Sequence, residues 1–476
     1  MLAKAQKQWL YIISALFVAG MGASIAFEQW LYMGVPFAGI AVYVALVRLD
    51  WLMWFILFAT PLSVTLTTSN QSLGLSLPTE PLLVLVTGIA VIKMFFFSDF
   101  DKRIAKHPIS IAIYTYLLWM TFTALTSQMP LVSFKLLISR IWFVVPYYFI
   151  MAHMFATAKN RIAFLWVFLI PLVIAGLYTL YIHSGHGFSK KTSTWVMWPL
   201  FKEHTSYGAV LAMFFPASLY LAFRKSSWGF NAIAWVLLTI MTLALIFSYT
   251  RAAWLSLVGA GGIYLIYWLR LNQQQVLLAG LFVLIVGLFN LSLITDKFSR
   301  NTTDSSDDFN EHVASVTNVS TDASNLERIN RWMCALRMFE ERPILGHGPG
   351  TYMFLYAPYQ KPHEKTIIST NGGNRGNAHS EYLGPLAEAG LLGLLTFLGV
   401  VLTTVFISIR VYRHTLDTHP VANALLKVAF TGLITYYLHG FLNNFLDMDK
   451  ASAPFWGFTA LIVALDLAFR PDFSKK

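Results

Sequence analysis

The chain has 476 residues and one cysteine, Cys334, so no internal disulfide can form and cysteine usage says nothing about redox compartment. Charge is equally scarce. Asp, Glu, Lys and Arg together make 12% of the residues, about half the usual globular share. A water-soluble protein with so few charges could not cover its own surface, which excludes the several soluble domains that length alone would allow. Disorder and collagen are excluded as well, because the chain is apolar and its glycines follow no period. No solenoid-type repeat is present. Metal motifs are missing too: the 12 histidines are scattered, with neither H-E-x-x-H nor a paired Cys/His arrangement. His183 and His186, followed by Lys190 and Lys191, read as an exposed turn rather than a ligand pair. No D-x-D-type acidic pair is read at an outer helix end, which argues against a metal-dependent sugar-nucleotide transferase. The first apolar run, Trp9 to Phe27, is too long for a cleaved signal and lacks a small-residue cleavage pattern after it.

What the chain does contain is apolar. Hydrophobic residues reach 57% and aromatics 16%, with 38 Phe, 21 Tyr and 15 Trp, and mean hydropathy is +0.59. This composition implies an all-α polytopic membrane protein. Runs long enough to span a bilayer fall near 9–27, 31–47, 51–68, 80–97, 109–126, 133–156, 162–182, 206–223, 229–249, 252–269, 275–294, 384–409, 421–441 and 452–469, about fourteen transmembrane helices (12–14) by the usual length of a span. Three regions follow: helices 1–11 over residues 1–294, a large outer loop over 295–383, and helices 12–14 with a tail over 384–476.

Orientation comes from the basic residues of the short connections. Lys4 and Lys7 precede the first run, and every second connection then carries Lys or Arg: Arg48; Lys102, Arg103 and Lys106; Lys159 and Arg161; Arg224 and Lys225; Arg270; Arg410 and Arg413; Arg470, Lys475 and Lys476. That alternation predicts an even helix count with both termini in the cytoplasm. It also accounts for the net charge of +11 without nucleic acid as a partner. Basic residues against this bias, Lys135, Arg140, Lys202 and Arg251, either snorkel at helix ends or mark function.

The long outer loop holds the remaining candidates. Its first part, Asn301 to Asp308, is polar and acidic. Ser324-Asn-Leu-Glu327 then fits a capping box opening a helix over about Asn325 to Glu341, which Pro343 stops. Arg328 and Arg331, three apart on that helix, suit a phosphate as forked donors, although an ordinary solvated face with Glu327 as partner fits as well. Gly346-His347-Gly348-Pro349-Gly350 reads as a tight turn rather than a phosphate cradle, since it lacks the Lys and Ser/Thr of a P-loop. His379, in Asn377-Ala-His379-Ser-Glu381-Tyr382-Leu383, stands where a neutral imidazole accepts a proton. Glu381 and Glu388 are each placed either to hold that imidazole or to favour the helix start. The outer face therefore offers Arg140, His204, Arg251, Arg328 and His379 around an anionic, diphosphate-bearing ligand. Arg331, Glu381 and Tyr382 join Arg140 and His204 as substrate-binding candidates. A transporter or lipid flippase is the rival reading, with Pro146, Pro171 and Pro216 as helix interruptions. Against it, polar residues gather on one face and the two halves of the chain do not pair.

Arg328-Ile-Asn-Arg-Trp332, Arg342-Pro-Ile-Leu-Gly346-His-Gly-Pro-Gly350, His379-Ser-Glu-Tyr-Leu383 and Leu386-Ala-Glu388-Ala-Gly390-Leu-Leu-Gly393 resemble the signature block of the O-antigen ligase and O-antigen polymerase family. Ser248-Tyr-Thr-Arg251-Ala-Ala-Trp254 resembles its upstream Arg-containing segment. The resemblance implies a bacterial inner-membrane glycosyltransferase with its active site facing the periplasm and no cofactor. Such enzymes pass a glycan from an undecaprenyl diphosphate carrier to a carrier-linked glycan, a lipid A-core or a protein hydroxyl. Carried over residue by residue, it makes His379 the catalytic histidine and Arg251 and Arg328 the catalytic arginines. Two departures, Ser380-Glu381 after the histidine and His204 where many ligases carry Asn, favour a polymerase.

Overall fold

The computed structural model describes residues 2–28, 34–67, 74–96, 100–269, 323–366, 369 and 376–470. Its principal helices are α1 (Leu2–Phe27), α2 (Gly34–Val47), α3 (Leu49–Ala59) and α4 (Thr79–Phe96), then α5 (Pro108–Leu125), α6 (Pro130–Met154), α7 (Ala158–Ser184), α8 (His204–Phe223), α9 (Trp228–Ile246) and α10 (Arg251–Trp268). The loop helix α11 (Ala323–Glu341) follows, and then α12 (Leu383–Thr415), α13 (Pro420–His439) and α14 (Asp449–Phe469). Among the described residues, eight helices (α5–α9 and α12–α14) are long and apolar enough to cross a membrane, and four shorter apolar stretches lie in α1, α2, α3 and α10. The chain is thus an all-α, multi-pass membrane protein. The expected run 275–294 and the acidic segment Asn301–Asp308 lie outside the described residues.

Proline sets several starts. Pro108, Pro130 and Pro420 each occupy a first helical position, where the missing N–H costs nothing. One expected helix is shorter than its hydropathy. The run 51–68 gives α3 and a 3₁₀ turn over Thr60–Leu62. Val64–Thr67 then pairs antiparallel with Gly74–Leu77 as a hairpin, β1–β2. Pro61 ends the helical ladder, and the β-branched Val64, Thr65 and Thr67 favour the strand that replaces it.

At the centre of the bundle stands α14, of whose hydrophobic window 83% is buried, with α8 at 78% and α13 at 72%; α9, at 28%, is peripheral. Small residues let the central helices approach. A side chain at Gly432 would meet the Met213 carbonyl and the Phe458 ring, and one at Gly457 would meet Phe164. In lipid, where apolar surface has little to gain by leaving solvent, such close packing drives helix association.

The bundle has two polar ends. At one, the Asp466 carboxylate receives Arg410 through Nε (3.0 Å) and Nη2 (2.5 Å) and lies 3.2 Å from His107 Nε2. Arg161 donates to the Phe155 carbonyl (2.7 Å) and covers the Phe469 ring. Basic residues adjoining three separate connections, His107, Arg161 and Arg410, therefore lie at this end. The other end carries the loop and the candidate site.

Candidate active site

The loop has a small core of its own. Cys334, Ala335, Met338, Tyr352, Tyr356 and Ala378 pack on Ala387 of α12, so the apolar stripe of α11 faces inward against the helix it precedes. The glycine turn fixes this docking. His347 N and Gly348 N donate to the Ala387 and Glu388 carbonyls (3.2 and 2.7 Å), and Gln128 N donates to the His347 carbonyl (3.0 Å). Gly346 and Gly348 have φ of +64° and +114°, and a side chain at Gly348 would strike Ser127 and Ser133. Its amides are spent on carbonyls, so the turn is a clamp and not a phosphate cradle.

The capping box is not used as expected. Ser324 falls inside the first turn of α11 rather than before it. Glu327 accepts instead from Arg331 Nε (2.6 Å), Thr366 Oγ1 (3.1 Å) and Ser369 Oγ. Arg331 is buried by this pair and by stacking on the Tyr356 ring at 4.1 Å. Arg328, one residue beyond Glu327, turns the other way and donates from Nε to the Leu442 carbonyl (3.3 Å). The two guanidiniums therefore do not form a parallel fork, yet both act on the same imidazole.

That imidazole is His379. Its backbone is left-handed, φ +49°, a conformation that costs a residue with a side chain roughly 1–3 kcal/mol. The strain is held by the Asn377 side chain accepting from His379 N (3.1 Å) and by Trp332 Nε1 donating to its carbonyl (3.3 Å). Burial, then the positive charges of Arg328 and Arg331, push the ring's pKa down to about 4, against smaller raising effects of Asn443 and Glu327. At neutral pH the ring is uncharged and able to accept a proton.

Residues 439–450, which link α13 to α14, form the floor below it. Glu381 Oε1 accepts from Tyr436 Oη (2.6 Å), Phe445 N (2.8 Å) and Leu446 N (2.9 Å), and Glu381 N donates to the Gly440 carbonyl (2.8 Å). Tyr382 Oη donates to the Tyr437 carbonyl (2.8 Å) while its ring packs on Phe441. Both side chains staple this turn to the His379 segment. Neither Glu381 nor Glu388 holds the imidazole; Glu388 accepts from Tyr352 N (3.0 Å). Arg140, another substrate-binding candidate, is buried and donates to the Leu446 carbonyl (2.5 Å) in the field of Glu381 and Asp447. Of the basic residues outside the alternating pattern, Arg140 and Lys202 act on this floor.

Arg251 opens α10 and His204 opens α8. Thr250 Oγ1 donates to the His204 carbonyl (2.9 Å), and the ring of His439 lies beside the Ala252 carbonyl. Both helix starts therefore meet the same floor. Lys202 and Glu203, just before α8, are exposed at its edge, as is Asp447. Enclosure by protein raises the Glu203 and Asp447 carboxyls, opposed by Arg328 and Lys202 at Glu203 and by Arg140 and Lys202 at Asp447.

Sequence reasoning missed this floor. His439, Asn443, Asn444 and Asp447 sit in an otherwise apolar stretch, and that polarity was the available signal. It also missed an acidic pair, Asp447-Met448-Asp449, at the start of α14. The pair does not chelate: Asp449 Oδ2 accepts from Ser63 (2.8 Å) and Thr79 (2.6 Å), away from Asp447, and neighbours Lys450. His183 is buried rather than exposed, its Nε2 2.9 Å from the Ser189 carbonyl, so it and His186 make no ligand pair.

Residues 232–398 match the O-antigen ligase family. The resemblance carried by the loop motifs is therefore to this family over that stretch. The match takes in Arg251, Arg328, Arg331, His379, Glu381 and Glu388, and stops short of the 439–450 floor. An uncharacterized protein of Haemophilus influenzae is 29% identical over 202 residues, which cover 41% of this chain and 47% of that protein. The chain thus spans about half the length of the curated relative it matches.

Proposed function

We propose that this protein is an inverting, metal-independent glycosyltransferase of surface polysaccharide assembly, O-antigen or another, acting at the periplasmic membrane face as a polymerase or ligase. Its donor is a glycan on undecaprenyl diphosphate. Its acceptor is a hydroxyl of a carrier-linked glycan or of a lipid A-core. The acceptor oxygen attacks the anomeric carbon, the bond from that carbon to the diphosphate oxygen breaks, and the hydroxyl proton passes to His379. Arg328 and Arg251 hold the departing diphosphate, whose growing charge guanidinium groups stabilise without a metal. Single displacement inverts the anomeric carbon.

The observation that carries this reading is the neutral His379 facing Arg328 and Arg331 in one cluster, at the end of the bundle opposite the Arg410–Asp466 pair. A base with a pKa near 4 is weak by itself. Two of the causes that depress it are cations, and a bound diphosphate offsets those cations. Donor binding would then raise the pKa of His379 toward the working pH, where a general base is most effective. The departures at Ser380-Glu381 and His204 favour the polymerase.

The test uses purified full-length protein, carrier-linked donor and several acceptors, with a chelator present. Transfer with inverted configuration, abolished in His379→Ala, is the expected result. Transport of the donor across vesicles without transfer would overturn the reading.

A further inference from the structure

Asn443 stands one helical turn after His439 and is buried. Its Nδ2 is 3.1 Å from His439 Nε2. Because an amide nitrogen only donates, His439 Nε2 must be the acceptor, and the proton of that neutral ring sits on Nδ1. The His439 ring lies beside the Ala252 backbone, next to Arg251, and its Nδ1 is buried without a hydrogen-bond partner among the described residues. The Asn443 amide also acts on the His379 ring. There, Asn443 Oδ1 and His379 Nδ1 are both buried and lack hydrogen-bond partners among the described residues. One is an acceptor and the other a potential donor, and unpaired buried polar atoms are costly. The backbone holds them in place: Glu381 fixes the amides of Phe445 and Leu446, and the His379 segment is tied to the same turn through the Gly440 carbonyl.

We infer that Asn443 is a positioning residue that selects the tautomer of His379. Its Nδ2 donates to His439 and its Oδ1 takes the Nδ1 proton of His379, which leaves the Nε2 lone pair free for the acceptor hydroxyl. The inference rests on the glycosyl-transfer reading above. It orders one chain of donors: His379 Nδ1 to Asn443, and Asn443 to His439. A histidine base needs such an orienter, and a neutral amide supplies it without placing a second negative charge beside the diphosphate.

The experiment compares Asn443→Asp, Asn443→Ala and His379→Ala in purified protein with carrier-linked donor, measuring kcat, KM and the pH profile of kcat/KM. The charged and polar groups acting on the His379 ring are Arg328, Arg331 and Glu327 from α11 and Asn443 itself. Asn443→Asp adds a carboxylate to that set, so the acid limb is expected to move up by about one pH unit or more. Asn443→Ala is expected to lower kcat roughly tenfold or more at constant KM, as for a disturbed general base. An unmoved acid limb in a folded Asn443→Asp, with His379→Ala inactive, overturns the relay and leaves the base reading standing. An active His379→Ala overturns both. If Asn443→Asp does not insert, His439→Gln and His439→Leu decide: the amide acceptor should restore kcat and the leucine should not, and equal kcat in the two refutes the relay.

Discussion

Two histidines at opposite ends of the bundle, His107 buried and His379 half-buried, show what a settled site and a working site look like. His107 has a partner for each ring nitrogen: Nδ1 accepts from Ile109 N at the start of α5, and Nε2 lies against Asp466, itself gripped by Arg410. Nothing there is strained or left over. His379 has no carboxylate partner, sits on a left-handed backbone, faces two arginines and leaves Nδ1 without a hydrogen bond among the described residues. The first arrangement satisfies charge with charge. The second holds like charges together and a neutral base among them, a state that gains most when an anion arrives. Natural structures accept such local cost at functional sites.

The contrast can be broken most severely at the working end. His379→Ala should insert normally yet lose a factor of ~10²–10⁴ in transfer, the usual contribution of a positioned base; near-normal glycan chains in cells carrying it would reduce His379 to a structural residue. Arg328→Ala should cost ~10²–10³ in kcat, as for loss of one donor to a developing anion, with the melting temperature little changed. At the settled end the pattern reverses. Asp466→Ala should leave turnover per folded molecule intact and destabilise by about 3 kcal/mol, the lower edge for a broken buried pair, because Arg410 is partly open to solvent. A thermal melt in detergent reads that loss, and an unchanged melt would mean the cluster is incidental.

Smaller effects sharpen the comparison. Gly348→Ala must adopt positive φ against Ser127 and should cost about 1–3 kcal/mol, releasing the loop and lowering activity together; loss of one without the other would separate the clamp from the site. The pH profile discriminates finely. The acid limb of kcat/KM should lie near pH 4, where free His379 protonates. The limb of kcat should lie higher, since bound diphosphate offsets Arg328 and Arg331. Coincident limbs would mean that the donor does not meet those arginines.

Much of the molecule was legible beforehand. Hydropathy placed α5 to α9 and α12 to α14 within a few residues, because a bilayer demands long apolar helices whatever their neighbours. It overran at 51–68, where hydropathy alone cannot tell a helix from a helix plus hairpin. Local spacing placed Arg328 and Arg331 on one side of a helix as a fork for phosphate, and in the structure both act on the His379 ring. It could not foresee that Glu327 would turn Arg331 aside. Adjacency to His379 marked Glu381 and Tyr382 as candidates, and it could not show that both hold the α13–α14 turn.

The sequence by itself determined the environment and the inventory. Scarce charge forced membrane helices, alternating basic residues grouped the connections into two ends, and the loop motifs marked His379 and its arginines. Only the tertiary structure decided which of these groups meet. His439 and Asn443 stand more than fifty residues from His379 in the chain, and no periodicity connects them. Their meeting depends on how α10, α12, α13 and α14 pack, and a hydrogen bond is fixed by the position of atoms, which helical pattern alone does not carry.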